Sequence, residues 1–126
     1  FKERLVSVEK KGIKGLSEIK DIMIGLRNKP INTLAGTEVI LIQDFEKSEQ
    51  LNLKTGLKSV LEFPKSNVLI FESKDGTRVA IRPSGTEPKI KFYFSVNMKQ
   101  KSKKIFKISN KILEKKIDVL VNEFKF

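Results

Sequence analysis

The sequence predicts an α+β domain in which helices pack on one face of an antiparallel sheet. Three observations lead there. Apolar residues recur at helical spacing near the start of the chain and again at its end. Between them lie short runs of β-branched and aromatic residues bounded by turn residues. Two of those runs flank Lys74-Asp75-Gly76, and Asp-Gly between apolar runs is a strong short-range hairpin signal.

Taken in order, Leu5-Val6-Ser7-Val8 sits between charged residues and reads as a short strand, ended by Lys10-Lys11-Gly12. Gly15-Leu16-Ser17-Glu18 opens a helix. Leu16, Ile19, Ile22/Met23 and Leu26 share one of its faces, Asn28 makes a terminus, and Pro30 stops it. Thr37 to Asp44 is rich in β-branched residues and reads as a buried strand. Phe45 to Thr55 is polar without a clear period and reads as a loop. Lys54 to Phe63 reads as a short strand or an irregular segment, and Pro64-Lys65-Ser66-Asn67 as a turn. Val68 to Ser73 and Thr77 to Arg82 form the hairpin, and Ile90 to Val96 is a further strand after Pro83 to Lys89. Towards the end, Phe106, Leu113, Ile117, Leu120 and Phe124 make a helical stripe, with Ile105, Ile108 and Ile112 beside it. The prediction is an amphipathic helix over Lys101–Phe124, apolar towards the sheet and lysine-rich outside.

At 126 residues the chain has room for one domain with one core, spanning residues 1–126. Hydrophobic residues make up 39% and fall in ordered clusters, which argues against general disorder. With 26 Lys+Arg against 15 Asp+Glu the net charge is +11, a balance that favours anionic partners. There is no Cys, so disulfides, zinc ribbons and thiol nucleophiles are excluded. There is no His either, which removes the commonest general base and every Ser-His-Asp arrangement. The apolar runs stay short, as at Val39-Ile40-Leu41-Ile42 and Val68-Leu69-Ile70-Phe71. A membrane-spanning helix needs about 20 such residues. The chain opens on Phe1-Lys2-Glu3-Arg4, with neither an apolar leader pattern nor an initiator Met. The expectation is a piece of a longer, cytoplasmic protein without a membrane partner.

One segment has the residue types that chemistry needs: Arg82-Pro83-Ser84-Gly85-Thr86-Glu87-Pro88-Lys89. A phosphate oxygen is held by several donors converging from one side and fixed before the ligand arrives. Arg82 offers a planar fork for two oxygens. Ser84 and Thr86 offer hydroxyls, and Lys89 adds a point charge. Gly85 lets the backbone turn so that successive N–H groups point into one concavity. Pro83 and Pro88 fix φ on both sides and reduce the entropy lost on ordering. Two plainer readings stand beside this one. Ser84 with Glu87 also fits a helix capping box, and the segment also fits a tight hairpin with solvated polar residues.

The run Gly76-Thr77-Arg78-Val79-Ala80-Ile81-Arg82-Pro83-Ser84-Gly85-Thr86-Glu87-Pro88-Lys89-Ile90-Lys91-Phe92-Tyr93 closely resembles the C-terminal phosphate-binding loop of the α-D-phosphohexomutases, the phosphoglucomutase and phosphomannomutase enzymes. The R-x-S-x-T-x-P pattern with its flanking strands is fairly specific. The K-I-K-F-Y continuation resembles a bacterial phosphoglucomutase branch that includes phosphopentomutase-like members. The likeness extends over nearly the whole chain and implies the TATA-binding-protein-like α+β fold of that family's fourth domain. It also implies a mechanism for the parent enzyme. A phosphoserine in the first domain gives its phosphoryl group to a sugar phosphate, the bisphosphate reorients, and the other phosphate returns to the serine, so that sugar 1-phosphate and 6-phosphate interconvert. A magnesium ion held by three aspartates supports the transfer. The fourth domain grips the phosphate that is not reacting. By resemblance Arg82, Ser84, Gly85 and Thr86 contact that phosphate, and Lys89 lies just outside the pattern.

The chain departs from the whole-enzyme pattern in two ways. The family's serine loop contains a His, absent here, and its metal loop needs closely spaced aspartates, whereas Asp21, Asp44, Asp75 and Asp118 stand far apart. The nucleophile, the Mg2+ site and the sugar-recognition loop are therefore expected in upstream domains of the same enzyme. The chain itself reads as a substrate-binding module, inactive alone, whose partners are a sugar phosphate and those domains. Glucose, mannose and pentose phosphates present the same group to such a loop.

The runner-up is a basic nucleic-acid-binding domain. From Met98 to Phe126 nine lysines face three acids, and Tyr93 and nine Phe are available for stacking. Against it, several Phe fall at core-facing periods and the arginines are only Arg4, Arg27, Arg78 and Arg82. A membrane-surface helix over Ile105 to Phe126 is the third reading, and against it the apolar stripe of that helix is needed to cover the sheet.

Overall fold

The computed structural model describes residues 2–12, 14–96 and 114–124. The elements run β1 (Lys2–Glu9), α1 (Gly15–Asn28), β2 (Thr33–Leu34), β3 (Thr37–Asp44), β4 (Glu49–Asn52), β5 (Lys58–Val60), β6 (Leu69–Ser73), β7 (Arg78–Pro83) and β8 (Lys89–Val96). Residues 114–123 are helical and form α2. The expected helix from Lys101 is thus seen from 114 onward. Its positions Ile105, Phe106, Ile108, Ile112 and Leu113 lie outside the described residues.

The strands form one antiparallel sheet in the order β1-β8-β7-β6-β3-β4-β5, with β2 paired to β3. Alternating directions along that order make β1 and β3 parallel, with three strands between them. The chain crosses that gap through α1.

Alternation decides which side chains meet the helices. On β8, Ile90, Phe92, Phe94 and Val96 are buried while Lys91 and Tyr93 are exposed. Val79 and Ile81 of β7 and Leu69 and Phe71 of β6 join the buried face. Ile19, Met23 and Leu26 of α1 and Ile117, Leu120 and Phe124 from the last segment complete the same core. The Phe124 ring lies 5.6 Å from both Phe92 and Phe94, so the last turn of the chain is sealed into the sheet.

Three expectations change. The helical spacing puts Leu16 on the buried face of α1, but it is 45% exposed. The buried stripe runs Gly15, Ile19, Met23, Leu26, and Leu16 lies at its margin in the first turn, about 65° from the stripe's centre. The polar stretch after Asp44 is not a plain loop. Phe45–Ser48 forms a turn in which Asp44 Oδ1 accepts the N–H groups of Glu46 at 3.0 Å and Lys47 at 3.3 Å, and β4 follows. The short β2, two residues long, carries no strand pattern of its own. It folds onto β3 through Ala35 and Gly36, both at positive φ (48° and 80°).

Polar contacts fasten α2 to the sheet. Asp118 accepts Arg4 Nη1 at 2.5 Å, and Glu123 Oε1 accepts the Ala35 N–H at 2.8 Å. Lys116 pairs with Asp75 in the β6–β7 turn. Asp75 also accepts the Ser73 hydroxyl at 2.5 Å and the Thr77 N–H at 3.1 Å. Burial by itself would raise the Asp75 carboxyl, but these donors outweigh it and hold the group well below the usual carboxylate range.

Candidate functional site

The face of the sheet away from the helices carries Arg82 and Lys91. They stand directly opposite each other in the β7–β8 ladder, so their side chains leave the sheet on the same side. Beyond them the chain turns through Ser84–Pro88. The Ser84 N–H donates to the Lys89 carbonyl at 2.9 Å, and the Lys89 N–H donates to the Glu87 carbonyl at 2.7 Å. Gly85 has φ +87°, a conformation that side chains rarely adopt, and a Cβ there would touch nothing. Its conformation, not its small size, is what the turn uses. Ser84, Gly85, Thr86 and Glu87 are exposed, and no helix starts at Ser84, which removes the capping-box reading.

Arg82, Pro83, Ser84, Lys91 and Tyr93 line a cleft of about 250 Å³. Among the described residues neither Arg82 nor Lys91 has an ion-pair partner. Two uncommitted cations, a hydroxyl and a phenol therefore surround one concavity. That arrangement suits an anion with several oxygens. A wider depression of about 340 Å³ on the same face shares Tyr93 but mixes Glu3 with Arg78 and includes no residue of the turn.

The structure brings together Arg82 and Ser84, and leaves Gly85 and Thr86 at the exposed crest of the turn. Lys89 sits at the start of β8, beside the turn. Its Nζ lies 3.2 Å from Glu87 Oε2, and it does not line the cleft. Lys91 and Tyr93, absent from the candidate set, do line it. The signal was the strand period: in a hairpin closed at Ser84 and Lys89, residues 82 and 91 are cross-strand partners. Among the described residues no group of three His, Cys, Asp or Glu side chains is placed to hold a metal ion, and no helix is long and apolar enough to cross a membrane.

Comparison with known proteins gives a consistent result. The family described as "Phosphoglucomutase/phosphomannomutase, C-terminal domain" matches residues 43–108. A phosphoglucomutase of Staphylococcus saprophyticus is 38% identical over 98 residues, covering 78% of this chain and 18% of that protein. One from Staphylococcus epidermidis is 37% identical over 97 residues, covering 77% and 18%. One from Staphylococcus aureus is 40% identical over 85 residues, covering 68% and 15%. The chain thus spans less than a fifth of the length of these relatives. No solved structure matches it.

Proposed function

The chain belongs to the family of phosphoglucomutase and phosphomannomutase C-terminal domains, and from that premise we propose that it is the module that holds a substrate phosphate for a sugar-phosphate mutase. In this reading Arg82, Ser84, Gly85 and Thr86 receive the phosphate, and Lys91 adds the second charge. The observation that carries it is the convergence of Arg82, Lys91 and Ser84 on one cleft with both cations unpaired among the described residues.

The mechanism follows from that arrangement. The Arg82 fork takes two oxygens of the phosphate, and the Ser84 hydroxyl and the backbone N–H groups around Gly85 take others. The Lys91 ammonium balances the remaining charge. Holding the non-reacting phosphate orients the far end of a bisphosphate, so remote binding energy is spent on positioning the reacting one. The interconversion of sugar 1-phosphate and 6-phosphate, and the magnesium that would support it, belong in this reading to upstream domains. The described residues do not fit a metal ion, and no step through one is assigned to this chain. Alone, the chain binds and does not catalyse.

The test is an NMR titration of this chain with inorganic phosphate and with glucose 6-phosphate. Amides of Ser84, Gly85, Thr86 and Lys91 should shift together, with a dissociation constant in the millimolar range, about −4 kcal/mol. One half of a cleft gains a few charge-assisted hydrogen bonds and must offset the cost of immobilising the ligand. The response to added salt should be shallow, because few charges take part. Shifts spread over lysines on α2, collapsing steeply with salt, would mean a surface for polyanions and overturn the reading.

A further inference from the structure

We propose that Gly15, at the first position of α1, is a positioning residue for the phosphate loop, an inference that rests on the binding role given above to Arg82–Thr86. Gly15 has an ordinary helical backbone, so its lack of a side chain serves another purpose. A Cβ there would collide with the Lys10 carbonyl oxygen and stand 2.8 Å from Pro88 Cβ. Pro88 is the last residue of the loop, and its carbonyl accepts the Lys10 N–H at 2.8 Å. The start of α1, the end of β1 and the base of the loop thus meet at a point that admits no methyl group. Ile19, Met23 and Leu26 anchor α1 in the core, so the helix cannot retreat cheaply. Any side chain at position 15 must displace Lys10 and, through its hydrogen bond, Pro88. Proline at that point transmits the displacement, since its ring fixes φ. The loop's donors then lose their aim at the phosphate. Gly25, on the same helix, is the natural control, because a Cβ there meets nothing.

Two measurements on this chain, with inorganic phosphate as the probe, test the assignment. In the first, Gly15→Ala should move the amides of Lys10, Glu87 and Lys89 and weaken phosphate binding by about tenfold, the loss of roughly one charge-assisted hydrogen bond once the loop's donors no longer converge. Gly25→Ala should leave the affinity unchanged. The second needs no variant. Coupling between brace and ligand is reciprocal, so saturating phosphate should slow hydrogen exchange of the Lys10 amide several-fold and leave the Gly25 amide unaffected. Unaltered Lys10 exchange in phosphate-saturated wild-type chain overturns the proposal, as does a Gly15→Ala chain that binds phosphate as tightly as wild type. Failure of the wild-type chain to bind phosphate at its loop is a different result, and it overturns the binding reading itself.

Discussion

Arg27 Nε donates to Asp44 Oδ2 at 3.0 Å, tying the last turn of α1 to the end of β3. The two side chains are only 10% and 11% exposed, and Arg27 Nη2 also donates to Asn67 Oδ1 at 2.7 Å. A buried pair of this kind is costly to break from one side, because the survivor stays buried without its partner. Arg27→Ala should therefore destabilise the domain by about 3 kcal/mol. This is the lower end of the usual range, since Asp44 keeps the N–H groups of Glu46 and Lys47. Urea unfolding measures it. The double variant with Asp44→Ala should lose less than the sum of the single losses, and an Arg27→Ala midpoint equal to wild type would refute the structural role.

The last segment is a core element and not a surface appendage. Ile117 and Leu120 are fully buried, and Phe124 packs against Phe92 and Phe94. Leu120→Ala should cost about 2–5 kcal/mol, the range for large-to-small changes at packed sites. Chemical denaturation of that variant is the direct check, and an unchanged stability would mean that the stripe meets solvent or a partner instead of the sheet.

How legible this was depended on what each element is made of. The strands at Thr37–Asp44, around Leu69–Ser73 and near Ile90–Val96 announce themselves through β-branched and aromatic residues. In contrast, β4 is Glu-Gln-Leu-Asn, with one apolar residue. It forms because Asp44 caps the preceding turn and because Gln43 Nε2 donates to Gln50 Oε1 across the ladder at 2.8 Å. The first is a local side-chain-to-backbone cap and the second a pair within one hairpin, and both are made by polar side chains that leave no hydrophobic period in the chain. The β2 turn was hidden for a different reason: Ala35 occupies a left-handed position usually given to Asn, Asp or Gly. The Glu123 carboxylate, 88 residues away, holds its N–H in place. At the candidate site, Arg82 and Ser84 could be read from the motif. Lys91 required the hairpin register, which only the closed turn fixes.

The Asp75 carboxyl gives the domain a definite pH signature. Lys116, Ser73 and Thr77 hold its folded value below the ordinary 3.8. The folded state thus binds fewer protons than the unfolded one near that pH, and the contribution is present in full above 3.8. It fades as pH falls below that value towards the folded one. Asp75→Asn should be less stable than wild type at neutral pH by a gap that stays constant down to about pH 5 and then narrows on further acidification. Paired urea titrations across that range read the gap directly. A gap that widens as pH falls would show that Asp75 is not the carboxylate held by this network.

The sharpest separation between a built anion site and general basicity comes from Arg82. Its side chain is exposed at the end of β7 and has no ion-pair partner among the described residues, so Arg82→Ala should leave stability nearly unchanged. Phosphate affinity should fall by about tenfold or more, because the lost contacts are hydrogen bonds between ions, worth roughly 1.5–3 kcal/mol. Arg82→Lys restores the charge but not the fork, and only part of the affinity should return. Lys91→Ala removes a point charge opposite Arg82 and should cost less than Arg82→Ala. Lys89→Ala should cost least, because its ammonium already faces Glu87. That ranking distinguishes geometry from charge: all of these alanine changes remove one positive charge, and a patch that merely attracts anions would weaken equally with each. Phosphate titrations of the variants at matched ionic strength would show it, and equal losses at positions 82, 89 and 91 would dismiss the built site.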